Sequence, residues 1–144
     1  MDTQHFHVEE MTCHDGTPYP QEWVETRLPA LFSTLEGIRH AVGDLPIRIL
    51  CGYRTPAYNE ALRSRGLSGE AGRTGVAEHS QHCEGRAADI VCFGMPVQVL
   101  LGHVIEAWEQ GLLPELGGVG LYHQAGFVHV DVHKVPGHLR RWLG

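Results

Sequence analysis

FVHVDVH, residues 127–133, alternates valine with side chains that bind metals and move protons. Successive side chains of a β-strand point to opposite faces. Val128, Val130 and Val132 therefore share a face that can pack on a core, while Phe127, His129, Asp131 and His133 share the other. One face reads as structural, the other as the floor of a site.

Working outward, 144 residues of which 42% are apolar suffice for one domain with a real core and are too few for two ordinary ones. A single domain over residues 1–144 is expected. The formal charge of −6, with 11 Lys and Arg against 17 Asp and Glu, offers no electrostatic footprint for nucleic acid. The same balance argues against adhesion by charge to anionic membranes or wall polymers. Eleven histidines raise the prior for a metal or acid–base site. Cys13, Cys51, Cys83 and Cys92 form no CxxC pair, which argues against a structural zinc knuckle and for reduced, largely buried thiols.

No apolar run reaches the length of a membrane span, so no membrane insertion is expected. MDTQHFHVEEMT, residues 1–12, has neither a basic nor an apolar leader region, and predicts a product made in the cytoplasm. Action on a cell wall would then need release by a phage-type or other non-classical route.

Apolar residues at 24, 28, 31, 35, 38 and 42 mark one helical face. Pro29 interrupts that pattern, so a short helix is expected to end there and a longer one to begin. IRILC (47–51) reads as a buried strand, and Pro56 opens a helix to about Arg65. Residues 66–75, GLSGEAGRTG, read as a loop, and RAADIVCF (86–93) as a strand. Pro96 starts a helix through about Gln110, and GGVGLY (117–122) and FVHVDVH form strands around the turn HQAG. The order predicts an α+β fold: a small, mostly antiparallel sheet of about four strands with helices covering one face.

EHSQHCEGRAADI (78–90) sets His82 seven residues before Asp89 with Gly85 between. On a continuous helix the two would lie two turns apart, too far for one ion. A turn at Gly85 would instead fold His82 back over the strand that carries Asp89. An unpaired carboxylate in the apolar run ADIVCF would be costly, and a metal or cation beside Asp89 removes the cost. With His129 the set becomes His, Asp, His, the N and O donors of a catalytic zinc site with one open position.

Several stretches in order resemble the zinc D-alanyl-D-alanine carboxypeptidase family and related peptidoglycan peptidases of bacteria and phages, within the lysostaphin and hedgehog-like fold group. CGYRTPAYN (51–59) resembles that family's SGYRSPxYN segment, SQHCEGRAADI its metal motif, and GGVGLYHQAGFVHVDV its closing strands. FHVEEMTC near the start resembles its lead-in. The resemblance implies one Zn²⁺ per chain, held by His82, Asp89 and His129. It also implies hydrolysis of a bond in stem peptides containing D-amino acids, as a carboxypeptidase or an endopeptidase. Peptidoglycan or muropeptides are the expected substrate, and a monomer the expected state.

In relatives the arginine matching Arg54 reaches the active site, where it holds a substrate carboxylate or polarises the scissile carbonyl. A rigid guanidinium fork suits either role, although a surface pairing with Glu60 fits the sequence too. Many relatives place an acid or histidine two or three residues before the ligand histidine. Phe127 and Gly126 stand there in this chain.

Asp131 is then the first candidate for general base, since two residues of strand put its Cα about 6–7 Å from that of His129. Its alternative role is to orient the His129 ring. His123 and His79 are further candidates, and His133 reads as a solvated strand end. Tyr53, Tyr122 and Ser80 could line the substrate groove, Ser80 with the alternative of a turn residue bonding backbone. The rival from another class is a non-catalytic domain of the same fold that keeps zinc as a structural pin.

Overall fold

The computed structural model describes residues 1–67 and 79–144, with two short 3₁₀ turns, Val8–Met11 and Gln21–Trp23, preceding the main elements. The first helix, α1, spans Leu28–Ala41, followed by β1 (Ile47–Cys51) and α2 (Pro56–Leu67). Next come β2 (Ala87–Cys92), α3 (Val97–Glu109), β3 (Gly118–Tyr122), β4 (Phe127–Asp131) and β5 (Arg140–Leu143).

No helix ends at Pro29, but the longer one expected to begin there does, with Pro29 in the first turn of α1. There its missing N–H is one the helix leaves unbonded anyway. The helical face read from the sequence holds, with Leu28, Leu31, Leu35 and Ile38 wholly buried. α2 continues through Leu67, and the rest of the expected 66–75 loop lies outside the described residues.

The sheet has five strands rather than about four, in the order β1-β2-β4-β3-β5. All pairings are antiparallel except β3 with β5, which is parallel. Val128 and Val130, with Ala88, Ile90 and Val119, join one core with Leu100 and Val104 of α3 and the buried face of α1. Each fully buried valine, leucine or isoleucine contributes about 1.5–3 kcal/mol, which fixes the register of β4. A slip of one residue would bury the histidine face instead.

That register sets the site. Cys51 pairs with Asp89, Asp89 with His129, His129 with Gly120, and Gly120 with Trp142, so one row crosses all five strands. The next row runs Ala87, Asp131, Gly118 and Arg140. Both rows lie on the sheet face opposite the valines.

Candidate active site

Asp89 stands at the centre of the first row, 2% exposed, and two rings converge on one of its oxygens. His82 Nε2 lies 3.1 Å from Asp89 Oδ1, and His129 Nδ1 lies 3.2 Å from the same atom. His82 reaches it as the sequence suggested. Residues 81–85 form a turn, with Gly85 at φ 67 reversing the chain, and His82 N bonds Ser80 Oγ at 3.1 Å. A Cβ at Gly85 would also stand 2.7 Å from the Trp23 ring.

The far nitrogen of each ring is anchored. His82 Nδ1 donates to Gly52 O at 2.6 Å, and a carbonyl can only accept, so that nitrogen carries a proton. His129 Nε2 donates to Asp131 Oδ2 at 2.9 Å. In a neutral ring this leaves the lone pairs of His82 Nε2 and His129 Nδ1 facing an anionic oxygen, which is favourable only with a proton or cation among them. Nitrogen and oxygen ligands of one tetrahedral zinc ion stand about 3.3 Å apart, given metal–ligand bonds of about 2.0 Å. Donor types, the spacing of each ring nitrogen from Asp89 and the outer anchors fit zinc held by His82, Asp89 and His129.

With protons alone, burial pulls the His82 pKa down, but the Asp89 carboxylate outweighs it and raises the pKa to about 10. Burial pushes the Asp89 carboxyl up, yet the two rings prevail and hold it well below the usual carboxylate range.

The three donors open into a cavity of about 240 Å³ lined also by Arg54, His79, Tyr122, Phe127 and Trp142. Arg54 is placed as expected. Nη2 lies 3.5 Å from Asp89 Oδ2, Nη1 donates to Asn59 at 3.2 Å, and Nε donates to Cys51 Sγ at 3.3 Å. Glu60 pairs instead with Arg63.

Asp131 is buried, and both its oxygens are engaged. Oδ2 holds His129, while Oδ1 accepts from Arg140 Nη2 and from His133 N. His79 is exposed at the cavity wall, whereas His123 sits on the β3–β4 turn outside the lining. His133 is exposed past the end of β4, because that strand stops at Asp131.

Tyr122 lines the cavity, stacked on Phe127 with ring centroids 4.7 Å apart. Ser80 lines it too, with its hydroxyl spent on the turn. Tyr53 is placed elsewhere: it is buried edge-on against Tyr19 and Trp23, an aromatic cluster away from the cavity lining.

Three residues of the site face were not anticipated. Trp142 and Arg140 come from β5, and they reach β4 only because β3 between them carries glycines. A Cβ at Gly118 would stand 2.6 Å from Arg140 Nη2 and 2.7 Å from Asp131 Oδ2, and one at Gly120 would run into Trp142 Nε1. The alternation RRWL and the facing GGVG are the signals that could have revealed this. The third is Cys51, a free thiol like the other three cysteines. Burial pushes its pKa up, but His82 and Arg54 more than offset this and hold it below the ordinary thiol value.

The profile of the family described as peptidoglycan L,D-endopeptidase MepK matches residues 19–142. The chain belongs to that family. It is 32% identical over 118 residues to the probable peptidoglycan L,D-endopeptidase MepK of Haemophilus influenzae, covering 81% of this chain and 54% of that protein. It is likewise 32% identical over 115 residues to the peptidoglycan L,D-endopeptidase MepK of Escherichia coli K12, covering 79% and 53%. The chain thus spans about half the length of the curated relatives it matches. No solved structure gives a significant match. The expected kinship with peptidoglycan peptidases holds, and among the described residues no helix is long and apolar enough to cross a membrane.

Proposed function

We propose that this chain is a zinc-dependent endopeptidase of peptidoglycan stem peptides, cutting the L,D bonds named for its relatives. The observation that carries the reading is the convergence of His82, Asp89 and His129, from one turn and two strands, at the floor of an open cavity. Zinc bound there would polarise the scissile carbonyl and bring the pKa of water towards neutrality.

The chain's own residues supply the rest. Arg54, fixed by Asn59 and Cys51, presents a permanent charge to a substrate carboxylate or to the oxygen that becomes negative in the transition state. Asp131 keeps the His129 ring in the tautomer that turns Nδ1 towards Asp89. Its occupied oxygens favour that positioning role, the alternative read from the sequence, over the general base that was the first candidate there. His79, at the cavity wall, takes the proton from the attacking water and returns one to the leaving amine. Tyr122, Phe127 and Trp142 form an aromatic wall along which the stem peptide lies.

The test is incubation of zinc-loaded protein with purified cross-linked muropeptides, beside a His82→Ala control. New amine termini with the wild-type protein alone support the reading. Zinc binding without cleavage refutes it and leaves the non-catalytic domain.

A further inference from the structure

Asp89 has a cross-strand partner on each side. His129 flanks it on β4, and Cys51 flanks it on β1. The role proposed above uses only the first. Yet Cys51 Sγ, a ring nitrogen of His82 and a carboxylate oxygen of Asp89 all lie within 4.8 Å of one another. Sulfur and nitrogen ligands of one zinc ion stand about 3.6 Å apart. Sγ lies 3.9 Å from His82 Nδ1, the nitrogen held by Gly52 O, so the thiol must turn past that atom towards Nε2 to share an ion with Asp89. The His82–Asp89 pair thus has a further donor on each side, His129 beside Asp89 and Cys51 beside both.

We propose that Cys51 is a fourth protein ligand of this metal centre, giving it one sulfur donor beside His82, Asp89 and His129. The proposal rests on the metal reading above and adds to it a residue that the three-ligand set omits.

Two features of the surroundings suit a metal thiolate. Arg54 Nε donates to Sγ at 3.3 Å, and an N–H aimed at a ligating sulfur neutralises part of its charge while leaving other lone pairs for the ion. Cys51 is also only half-buried, at the end of β1 where the pairing with β2 shifts register between Ile49 and Cys51. The irregularity leaves its side chain freer to turn than one held mid-ladder.

Binding the ion breaks the S–H bond and forms a metal–sulfur bond, and the proton leaves to solvent. Four protein donors make a closed set of the kind that holds structural zinc, whereas three leave a position for water. Cys51 and a hydrolytic water thus compete for one corner of the centre, and hydrolysis requires the thiolate to yield.

Cobalt(II) reports this directly, because a cobalt–thiolate bond gives a charge-transfer band in the near ultraviolet that nitrogen and oxygen ligands do not. The metal-free full chain would be titrated with cobalt(II) alone, as wild type, Cys51→Ser and His129→Ala, with circular dichroism confirming that each is folded. The expected result is one cobalt per chain with the thiolate band in wild type and in His129→Ala, and loss of the band in Cys51→Ser. Zinc affinity in Cys51→Ser should fall on the order of tenfold or more. Stoichiometric cobalt without a thiolate band in wild type overturns the role of Cys51 and leaves the three-ligand centre standing. Failure of the folded wild type to bind cobalt or zinc at all overturns both.

Discussion

Exchanging Asp131 for asparagine keeps the size of the side chain and removes one acceptor. The wild-type carboxylate takes three donors: His129 Nε2 on one oxygen, and Arg140 Nη2 and His133 N on the other. An amide has one oxygen and one NH₂, so whichever way it is set, a donor faces a donor. If the oxygen stays with Arg140, the NH₂ meets His129 Nε2. The ring then escapes the clash only by moving its proton to Nδ1, the nitrogen that faces Asp89 at 3.2 Å. That tautomer has no lone pair for the metal.

Disturbing an outer carboxylate of this kind costs about 10–100-fold in metal affinity, or about 1.4–2.7 kcal/mol. Without metal the cost comes from Arg140, which loses its ion pair. Its side chain is 26% exposed, so water recovers part of the loss, and about 1–2 kcal/mol is expected in place of the about 3–5 of a sealed pair. Competition with a chromophoric chelator measures the first quantity, and urea denaturation of the metal-free protein the second. A folded Asp131→Asn protein with wild-type zinc affinity would refute the orienting role. If it also lost turnover, Asp131 would be the proton acceptor after all.

Three further outcomes follow from the same geometry. Gly120→Ala drives a methyl into the Trp142 indole, and this should lower stability by about 1–3 kcal/mol on denaturant unfolding, with β5 the first element to lose amide protection. Arg54→Lys keeps the charge but loses the fork that spans Cys51, Asn59 and Asp89. It should lower kcat/KM for muropeptides about tenfold or more while leaving the fold intact by circular dichroism. The third outcome concerns pH. In metal-free protein His82 is raised to about 10 and Asp89 is lowered, so the pair stabilises fully where the ring is charged in both states and the carboxylate ionised in both. Stability should then fall as pH rises from about 6.5 through 10, and also as pH falls below the ordinary carboxylate range. Zinc must displace the His82 proton, so its apparent affinity should rise across the upper window, with proton release visible in calorimetry run in two buffers.

Features fixed by local period were legible in the sequence. Val128 and Val130 alternate with His129 and Asp131, and alternation alone assigns the faces of β4. Gly85 between His82 and Asp89 announces the turn, because a helix there could not bring the two together. Features set by pairing between distant strands were silent. Nothing local says that Cys51 stands beside Asp89, or that Arg140 and Trp142 cross a glycine-lined strand to reach Asp131 and His129. β5 is four residues long, carries two arginines and pairs parallel with β3, so it lacks the apolar run and hairpin turn by which a strand announces itself. Tyr53 misled for the same reason. The rings that hold it edge-on, Tyr19 and Trp23, come from a segment far earlier in the chain.

The proposed hydrolysis depends on an ion at His82, Asp89 and His129. The most direct measurement restores zinc stepwise to the metal-free chain and follows cleavage of an L,D-linked muropeptide dimer by mass spectrometry. Cleavage that grows linearly and stops growing at one equivalent is the predicted result. Cleavage indifferent to zinc, or none at full loading, would contradict it.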